Sequence, residues 1–172
     1  AAAARDRVLM AEVEPAVLLR VRARHSGRWP VLAGPVELVR DAGVVGWTET
    51  LYVAPGAVFE LGFGPDDALR AVRRVESSVK VDSVDKWRRR RVKVAIYLSN
   101  LGGEARAVRI TERVPVAEVE EVRVGVLEKE TDGDERPDAD GMWVAERVVP
   151  ANGHLTVRLG WELATAPGVE GL

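Results

Sequence analysis

Alternation of apolar and polar residues with a period of two is the feature that most constrains this chain. The clearest run is residues 155–163, in which leucine, valine and tryptophan alternate with threonine, arginine, glycine and glutamate. Residues 17–23, 92–98 and 122–126 repeat the pattern. Successive side chains of a strand point to opposite faces, so each run predicts a strand with one buried face. No stretch sustains the apolar spacing of an amphipathic helix, so helix is at most a minor component.

Short turn signals separate the predicted strands. Glycine, proline, asparagine and aspartate cluster at residues 41–43, 54–56, 64–67, 100–103 and 150–153. Connections of this length join antiparallel neighbours, whereas parallel strands need a crossover of a dozen residues or more. The sequence therefore predicts an all-β fold, namely an antiparallel β-sandwich. It argues against a parallel nucleotide-binding sheet.

A polar stretch near the middle of the chain predicts a division into two packed β units. Residues 77–86 interrupt the alternation. We predict an N-terminal β unit over residues 1–80 and an immunoglobulin-like sandwich over residues 81–172. The alternative is that the first unit is continuous with the second. The second unit has the length and strand number of such a sandwich.

Composition excludes several classes of protein. The chain has 172 residues, a formal net charge of -2 and no cysteine. It therefore has no disulfides, thiolate metal sites or cysteine nucleophiles, and no bulk attraction to nucleic acid. There is no apolar run of about 18 residues that would span a membrane. Ala1 to Ala4 lead directly into charged residues, so no secretory signal is visible. The arginine-rich composition is typical of a bacterial protein; a cytoplasmic location is slightly favoured and an envelope location stays open.

The most conspicuous charge cluster is the run of four arginines at residues 88–91, which follows Lys86 and Trp87. Such a run raises the possibility of a phosphate or nucleic-acid patch. Alternation sends successive arginines to opposite faces of a strand, however, and few aromatic residues are interleaved. We therefore expect the basic entry to an exposed strand and no nucleic-acid partner.

Residues 131–141, between Thr131 and Gly141, raise the possibility of a calcium site. This loop holds five carboxylates, but Arg136 and Pro137 stand where an EF-hand would need ligands, and no closing glutamate follows. A solvated hairpin loop is the favoured interpretation.

The other catalytic constellations are absent or incomplete. His25 and His154 are the only histidines and lie far apart in the sequence. A hydrolase would need carboxylates to converge with one of them, the candidates being Asp66, Asp67, Asp138 and Asp140. Nucleophile-elbow, zinc-protease and phosphate-loop motifs are missing. We therefore predict no catalytic, cofactor-binding or metal-binding residues, and no cofactor.

Five tryptophans raise the possibility of a stacking platform for sugars. Trp161 lies on the apolar side of its strand, which predicts a core position. Trp47 and Trp143 lie in predicted strands, and we expect them to be buried or half-buried.

Several strings, taken in order, resemble a bacterial domain of unknown function. They are LAGPV at 32–36, VRDAGVVG at 39–46, APG at 54–56 with FELGFG at 59–64, LSNL at 98–101, RVPV at 113–116, DGMW at 140–143 and PANG at 150–153. The chain is similar in these strings to the C-terminal domain of proteins like mucoidy inhibitor A, from about residue 8 to residue 167. The resemblance implies that another β domain and a long coiled coil precede this domain, and it transfers no catalytic residues.

We expect a non-enzymatic module for protein interaction or scaffolding. A protein partner or a second copy of the chain is expected, with the exposed sheet edges and the loop of residues 128–142 as the likeliest contact surfaces. The resemblance and the tryptophans favour, as an alternative, a cell-envelope or polysaccharide-binding module. An undiscovered hydrolase is the remaining alternative.

Overall fold

A computed structural model describes residues 4–40 and 43–169. The turn predicted at Asp41 and Ala42 and the two chain ends lie outside the described residues. Within those ranges the secondary structure is almost entirely strand, which confirms the all-β prediction. The strands are β1 (Ala4–Leu9), β2 (Leu18–Arg24), β3 (Gly34–Arg40), β4 (Gly43–Thr50), β5 (Val58–Pro65), β6 (Leu69–Val81), β7 (Arg88–Asn100), β8 (Arg106–Arg113), β9 (Val122–Val126), β10 (Met142–Val149) and β11 (His154–Thr165). One turn of 3-10 helix covers Glu128–Glu130.

The strands form two large sheets and one small one. A five-stranded sheet has the order β10-β8-β1-β2-β5, and a four-stranded sheet has the order β6-β7-β11-β9. The strands β3 and β4 pair only with each other. The two large sheets share one apolar core, as a β-sandwich requires.

One pairing departs from the predicted antiparallel arrangement. β1 and β8 are parallel neighbours, with Val8 opposite Arg109 and Leu9 opposite Ile110. The short turns predict only pairs of strands that follow one another in the sequence, whereas these two strands are separated by almost a hundred residues. That separation supplies the long connection that parallel neighbours need.

The core is formed in large part by the apolar residues of the predicted alternating runs. Val92, Val94, Ile96 and Leu98 are all buried, and so are Val157 and Leu159 on the paired strand β11. Side chains of the other sheet meet them from the opposite side, with Ile110 and Trp143 fully buried. Burial of apolar area on this scale is the main favourable term in the free energy of folding.

A charged pair also crosses the interior between the two sheets. Glu112 on β8 has a side chain with no exposed area, and both of its oxygens accept hydrogen bonds from Arg73 on β6 at 2.8–3.1 Å. Arg73 remains about one fifth exposed. A buried carboxylate is tolerable in such a position only when its partner is well aligned, and the hydrogen bonds from Arg73 to both oxygens of Glu112 meet that condition.

The turn after β7 is held by a buried amide. Asn100 donates from its side chain to the carbonyl oxygens of Glu104 at 2.7 Å and Pro150 at 3.1 Å, and its Oδ1 atom accepts from the N–H of Gly102 at 3.0 Å. This side chain therefore ties the predicted turn at residues 100–103 to the end of β10. A buried amide with these partners is satisfied.

The strands on the two sides of residue 80 are hydrogen-bonded in common sheets. β8 and β10 join β1, β2 and β5, and β6 pairs along its whole length with β7, as far as Val81 opposite Arg88. The division at residue 80 into two folding units stays a prediction. The second unit, over residues 81–172, is not confirmed as immunoglobulin-like.

Candidate interaction surface

Exposed apolar side chains are concentrated in and around the β3–β4 hairpin. Nearly half of the large apolar side chains that are exposed among the described residues lie between residues 29 and 58. The largest of them define what we call the hairpin surface: Trp29 (75% exposed), Leu32 (73%), Trp47 (69%), Leu51 (83%) and Tyr52 (60%). Single exposed apolar residues need no explanation, whereas their concentration in one segment makes it a candidate contact surface.

The hairpin surface is built on a fixed frame. Val31 and Val53 exchange two backbone hydrogen bonds, of 3.0 and 2.9 Å, and thereby close the segment that carries β3 and β4. Leu38 and Val53 are buried beneath it, outside the main core. The Nε2 atom of His25 lies 2.6 Å from the carbonyl oxygen of Trp29. These contacts fix the segment that carries the exposed side chains.

The outer face of the hairpin combines an aromatic ring with negative charge. Glu37 lies directly opposite Trp47 in the strand pair, and Glu49 follows two residues further along the same strand. Directly opposed residues and residues two apart share one face of a sheet. The indole of Trp47 is therefore flanked by two exposed carboxylates, which favours a partner with an apolar groove and a basic rim.

The tryptophans divide between core and surface. Trp143 is fully buried and donates from Nε1 to the carbonyl oxygen of Glu135 at 3.2 Å, and Trp161 packs against the core, so both predictions are confirmed. The expectation that Trp47 is buried or half-buried is wrong. It lies on a two-stranded sheet, and nothing in the described part of the chain covers the outer face of that sheet.

The four consecutive arginines alternate between faces as predicted. Arg89 and Arg91 face outward, where both contact Glu162 at 3.5 and 2.7 Å. Arg88 and Arg90 lie opposite Val81 and Val79 on the other face of the strand. That face extends beyond the end of the core, so Val79 and Val81 are exposed.

The candidate hydrolase residues lie on two separate loops. Asp66 is buried and accepts hydrogen bonds from Arg7 at 2.6 Å and from Arg106 at 2.6 and 2.7 Å. Burial raises the pKa of Asp66, but the hydrogen bonds from Arg7, Ala68 and Arg106 outweigh that effect, so its pKa is lowered overall. A carboxyl group held in this way is fixed as an anion at neutral pH.

The remaining candidates for acid–base chemistry do not form a common site with Asp66 and a histidine. Asp67 and Asp66 line one depression, whereas Asp138 lines another, and neither depression is lined by a histidine. Asp138 accepts from the backbone N–H groups of Asp140 and Met142, which organises the turn before β10. His25 and His154 lie at the hairpin surface and at the start of β11.

The acidic loop of residues 131–141 directs its carboxylates to arginine and backbone donors. Both oxygens of Glu135 accept from Arg147, at 2.6 and 3.0 Å. The hydrogen bond from Arg147 lowers the pKa of Glu135 to about 2, against the opposing effect of burial. Asp132 accepts from the backbone N–H of Arg158 at 2.9 Å. Among the described residues, no three carboxylate or histidine side chains are grouped as a metal site would require.

The hairpin surface is not predicted by the sequence pattern. Trp47 is expected there to be buried or half-buried, and nothing in the alternation singles out Leu32, Leu51 or Tyr52 as exposed. One signal was available: Leu51 and Tyr52 are consecutive apolar residues beside a proline-glycine turn, where alternation does not provide for burying both. Of the expected contact surfaces, the loop of residues 128–142 holds none of the exposed large apolar side chains, whereas the edge strand β6 holds Val72, Val75, Val79 and Val81.

The architecture defines an all-β domain of sandwich type with an accessory apolar hairpin. The chain belongs to a family described as a domain of unknown function, DUF4139, whose model matches residues 5–167. The match covers nearly all of the chain and so includes both large sheets and the hairpin. No curated protein and no solved structure matches the chain. Within the described residues, no helix is both long enough and apolar enough to cross a membrane.

Proposed function

We propose that this domain is a non-enzymatic protein-interaction module that binds a protein partner through the hairpin surface. The observation that carries the proposal is the concentration of Trp29, Leu32, Trp47, Leu51 and Tyr52 as exposed side chains on one anchored segment. Tryptophan and tyrosine provide much of the binding energy in protein interfaces because they bury large areas with few rotatable bonds.

The chemistry of the hairpin surface favours a protein over a small ligand. Leu32 and Leu51 add branched aliphatic area beside the aromatic rings, and a protein groove buries such area well. Glu37 and Glu49 flank Trp47 and match a partner with basic residues around its groove. Charged residues at the rim of an interface act mainly on the rate of association and on specificity.

The experiment is site-specific photo-crosslinking in cells of the source organism, with the crosslinking residue placed at position 47 or 51. The control position is 148, since Val148 is also exposed but lies on β10, outside the hairpin surface. We expect an adduct of defined mass from positions 47 and 51 and none from position 148. Loss of that adduct in the Trp29→Ser variant, which leaves the crosslinking position intact, would tie it to the hairpin surface. Equal yields from all three positions would contradict the proposal.

The non-enzymatic part of the proposal is supported by how the carboxylates are used. Asp66 and Glu135 are engaged by arginines, and Asp138 accepts from the backbone. Each of these groups therefore has a structural role that accounts for its position.

We also infer that the protein is similar to mucoidy inhibitor A in this domain. The order of the strings from residue 32 to residue 153 supports that link. Determining the complete gene product tests it: a preceding β domain and coiled coil are expected, and their absence would contradict it.

A polysaccharide-binding role is the second candidate, and the exposed indoles of Trp29 and Trp47 favour it. Exposed aromatic rings offer apolar faces against which sugar rings can pack. A glycan array tests this role. Binding that is lost in Trp47→Ser and retained when Val148 is replaced by serine would support it, and an array without signal would contradict it.

A further inference from the structure

The outward side of the four-stranded sheet carries a strong excess of positive charge. Residues opposite one another in the registers of β6, β7, β11 and β9 share a face. This face, which we call the basic face, has eight cationic side chains on its strands: Arg70, Arg74, Lys80, Arg89, Arg91, Lys93, Arg123 and Arg158. Only Glu76 and Glu162 on the same strands oppose them. The whole chain has a net charge of -2, so the charge is segregated.

A depression near the centre of the basic face is lined by cations. Arg74, Ala95 and Arg158 form one row across three strands, and the small side chain of Ala95 leaves space between the two long ones. Lys93 and Lys129 complete the cationic lining, and the depression encloses about 380 Å³. Two carboxylates, Glu76 and Glu130, also lie at its wall, so its lining keeps a net positive charge.

Part of the positive charge is already balanced within the chain. Lys93 lies 3.1 Å from Glu130, and Arg158 lies 3.8 Å from Asp132. Among the described residues, by contrast, Arg74 has no carboxylate within 4 Å and packs its guanidinium over the ring of Tyr97 at 5.6 Å. Arg89 and Arg91 are likewise paired with Glu162. The charges available to a partner are therefore mainly those of the β6 side of the face and of Lys129 at the depression.

We propose that the basic face binds an extended acidic segment of a partner protein. Successive outward cations on one strand, such as Arg89, Arg91 and Lys93, are spaced by two residues, about 6.6–6.8 Å. Alternate side chains of an extended peptide have the same spacing. Glutamate or aspartate at alternate positions of a segment that runs along β6 can place carboxylates opposite Arg70 and Arg74, which are outward cations of that strand four residues apart.

The aromatic residues of the face favour a peptide over a single-stranded nucleic acid. Nucleic-acid grooves combine cations with exposed rings on which bases stack. Here Arg74 lies over the ring of Tyr97 at 5.6 Å, and Arg123 lies over the ring of Trp87 at 4.5 Å. One face of each ring therefore already contacts a guanidinium group, which leaves less ring surface on which bases could stack.

The proposal is independent of the hairpin surface, and its test uses different residues. A fluorescein-labelled peptide of ten glutamates is titrated with the protein at an ionic strength of about 0.1 M, where the Debye length is about 10 Å, and binding is measured by fluorescence anisotropy. The test variant is Arg70→Gln/Arg74→Gln/Lys129→Gln, which removes cations that have no carboxylate within 4 Å among the described residues. The matched control, Arg22→Gln/Arg24→Gln/Arg109→Gln, removes the same charge from exposed positions of the five-stranded sheet.

We expect the test variant to bind the peptide at least about tenfold more weakly and the control to bind like the unmodified protein, because rim charges act locally once salt screens distances beyond about 10 Å. Equal loss in both variants would show a nonspecific effect of net charge and overturn the proposal. An oligothymidylate of ten nucleotides serves as the competing probe. Tighter binding of that probe than of the peptide would overturn the proposal in favour of nucleic acid. If neither probe bound, the proposal would also be overturned.

Discussion

The core of the sandwich and the β3–β4 hairpin contain the same kinds of residues and expose them very differently. Both have valine-rich strands that carry a tryptophan. Trp143 has no exposed area on β10, whereas Trp47 is 69% exposed on β4. The strand β10 faces a second sheet, while β4 belongs to a two-stranded sheet whose outer face is uncovered. Alternation therefore tells which residues share a face, and packing between sheets decides whether that face is buried.

The largest effect is expected from truncation in the core. Trp143→Ala removes a fully buried side chain and leaves a cavity between the sheets, which should lower the free energy of unfolding by about 3–5 kcal/mol. Urea denaturation followed by circular dichroism measures this change. A cost below about 1 kcal/mol, which is typical of surface positions, would remove the contrast between the two regions.

A somewhat smaller loss is expected when the charged pair between the sheets is broken. Arg73→Met leaves the carboxylate of Glu112 buried without a partner and should cost about 2–3 kcal/mol, less than a fully buried pair because Arg73 is partly solvated. The double variant with Glu112→Leu should recover most of the loss, since it buries no charge. A double-mutant cycle in urea provides the measurement. Additive effects in that cycle would contradict direct coupling of the pair.

A pH-dependent effect is expected at the acidic loop. The pKa of Glu135 is lowered from its usual 4.5 to about 2 by Arg147, so the carboxylate stabilises the folded protein above pH 4.5. That contribution is lost as the pH falls from about 4.5 towards 2. The Glu135→Gln variant should therefore be less stable than the unmodified protein at pH 7 and should approach it near pH 2.

Thermal unfolding across this range of pH checks the Glu135 prediction. Asp134→Asn is the matched control, because Asp134 lies beside Glu135 in the exposed part of the loop. The control should leave the difference between pH 7 and pH 2 unchanged. A stability difference for Glu135→Gln that is constant with pH would contradict the role given to its ionisation.

The smallest effect on stability is expected at the hairpin surface. Trp47→Ala should change the free energy of unfolding by no more than about 0.5 kcal/mol, because the side chain has little packing to lose. The same variant should reduce crosslinking to the partner, measured at position 51. A loss of stability similar to that of Trp143→Ala would mean that Trp47 is covered in the isolated chain, as Trp143 is, and would contradict the difference between the two regions.

Much of the secondary structure could be predicted from local sequence, but which strands pair with one another could not. The runs 92–98 and 155–163 correspond to the central parts of β7 and β11, and the turn at residues 100–103 lies where glycine and asparagine indicated it. That β1 lies beside β8 could not be read, because a strand pattern holds no information about a neighbour a hundred residues away. Register and neighbour choice depend on how all the apolar faces are covered together.

The arginine run shows the same limit for charge. Alternation correctly separated Arg89 and Arg91 from Arg88 and Arg90, and this weakened the case for a single basic patch. Strand pairing then brought Arg74 and Arg158 to the outward side with Arg91 and Lys93. The basic face is therefore assembled from four strands, of which β9 and β11 are distant in sequence from β6 and β7, and no single segment reveals it.

By itself the sequence determined that this chain is built of strands, where most of them turn, and which side chains of each strand lie together. These properties are local, since they follow from the two-residue period of a strand and from the conformations that glycine, proline and asparagine allow. Only the tertiary structure decided that Trp143 is core and Trp47 is surface, and that scattered cations form one face. Burial and charge density depend on which strands become neighbours, and that is settled by the packing of the whole chain.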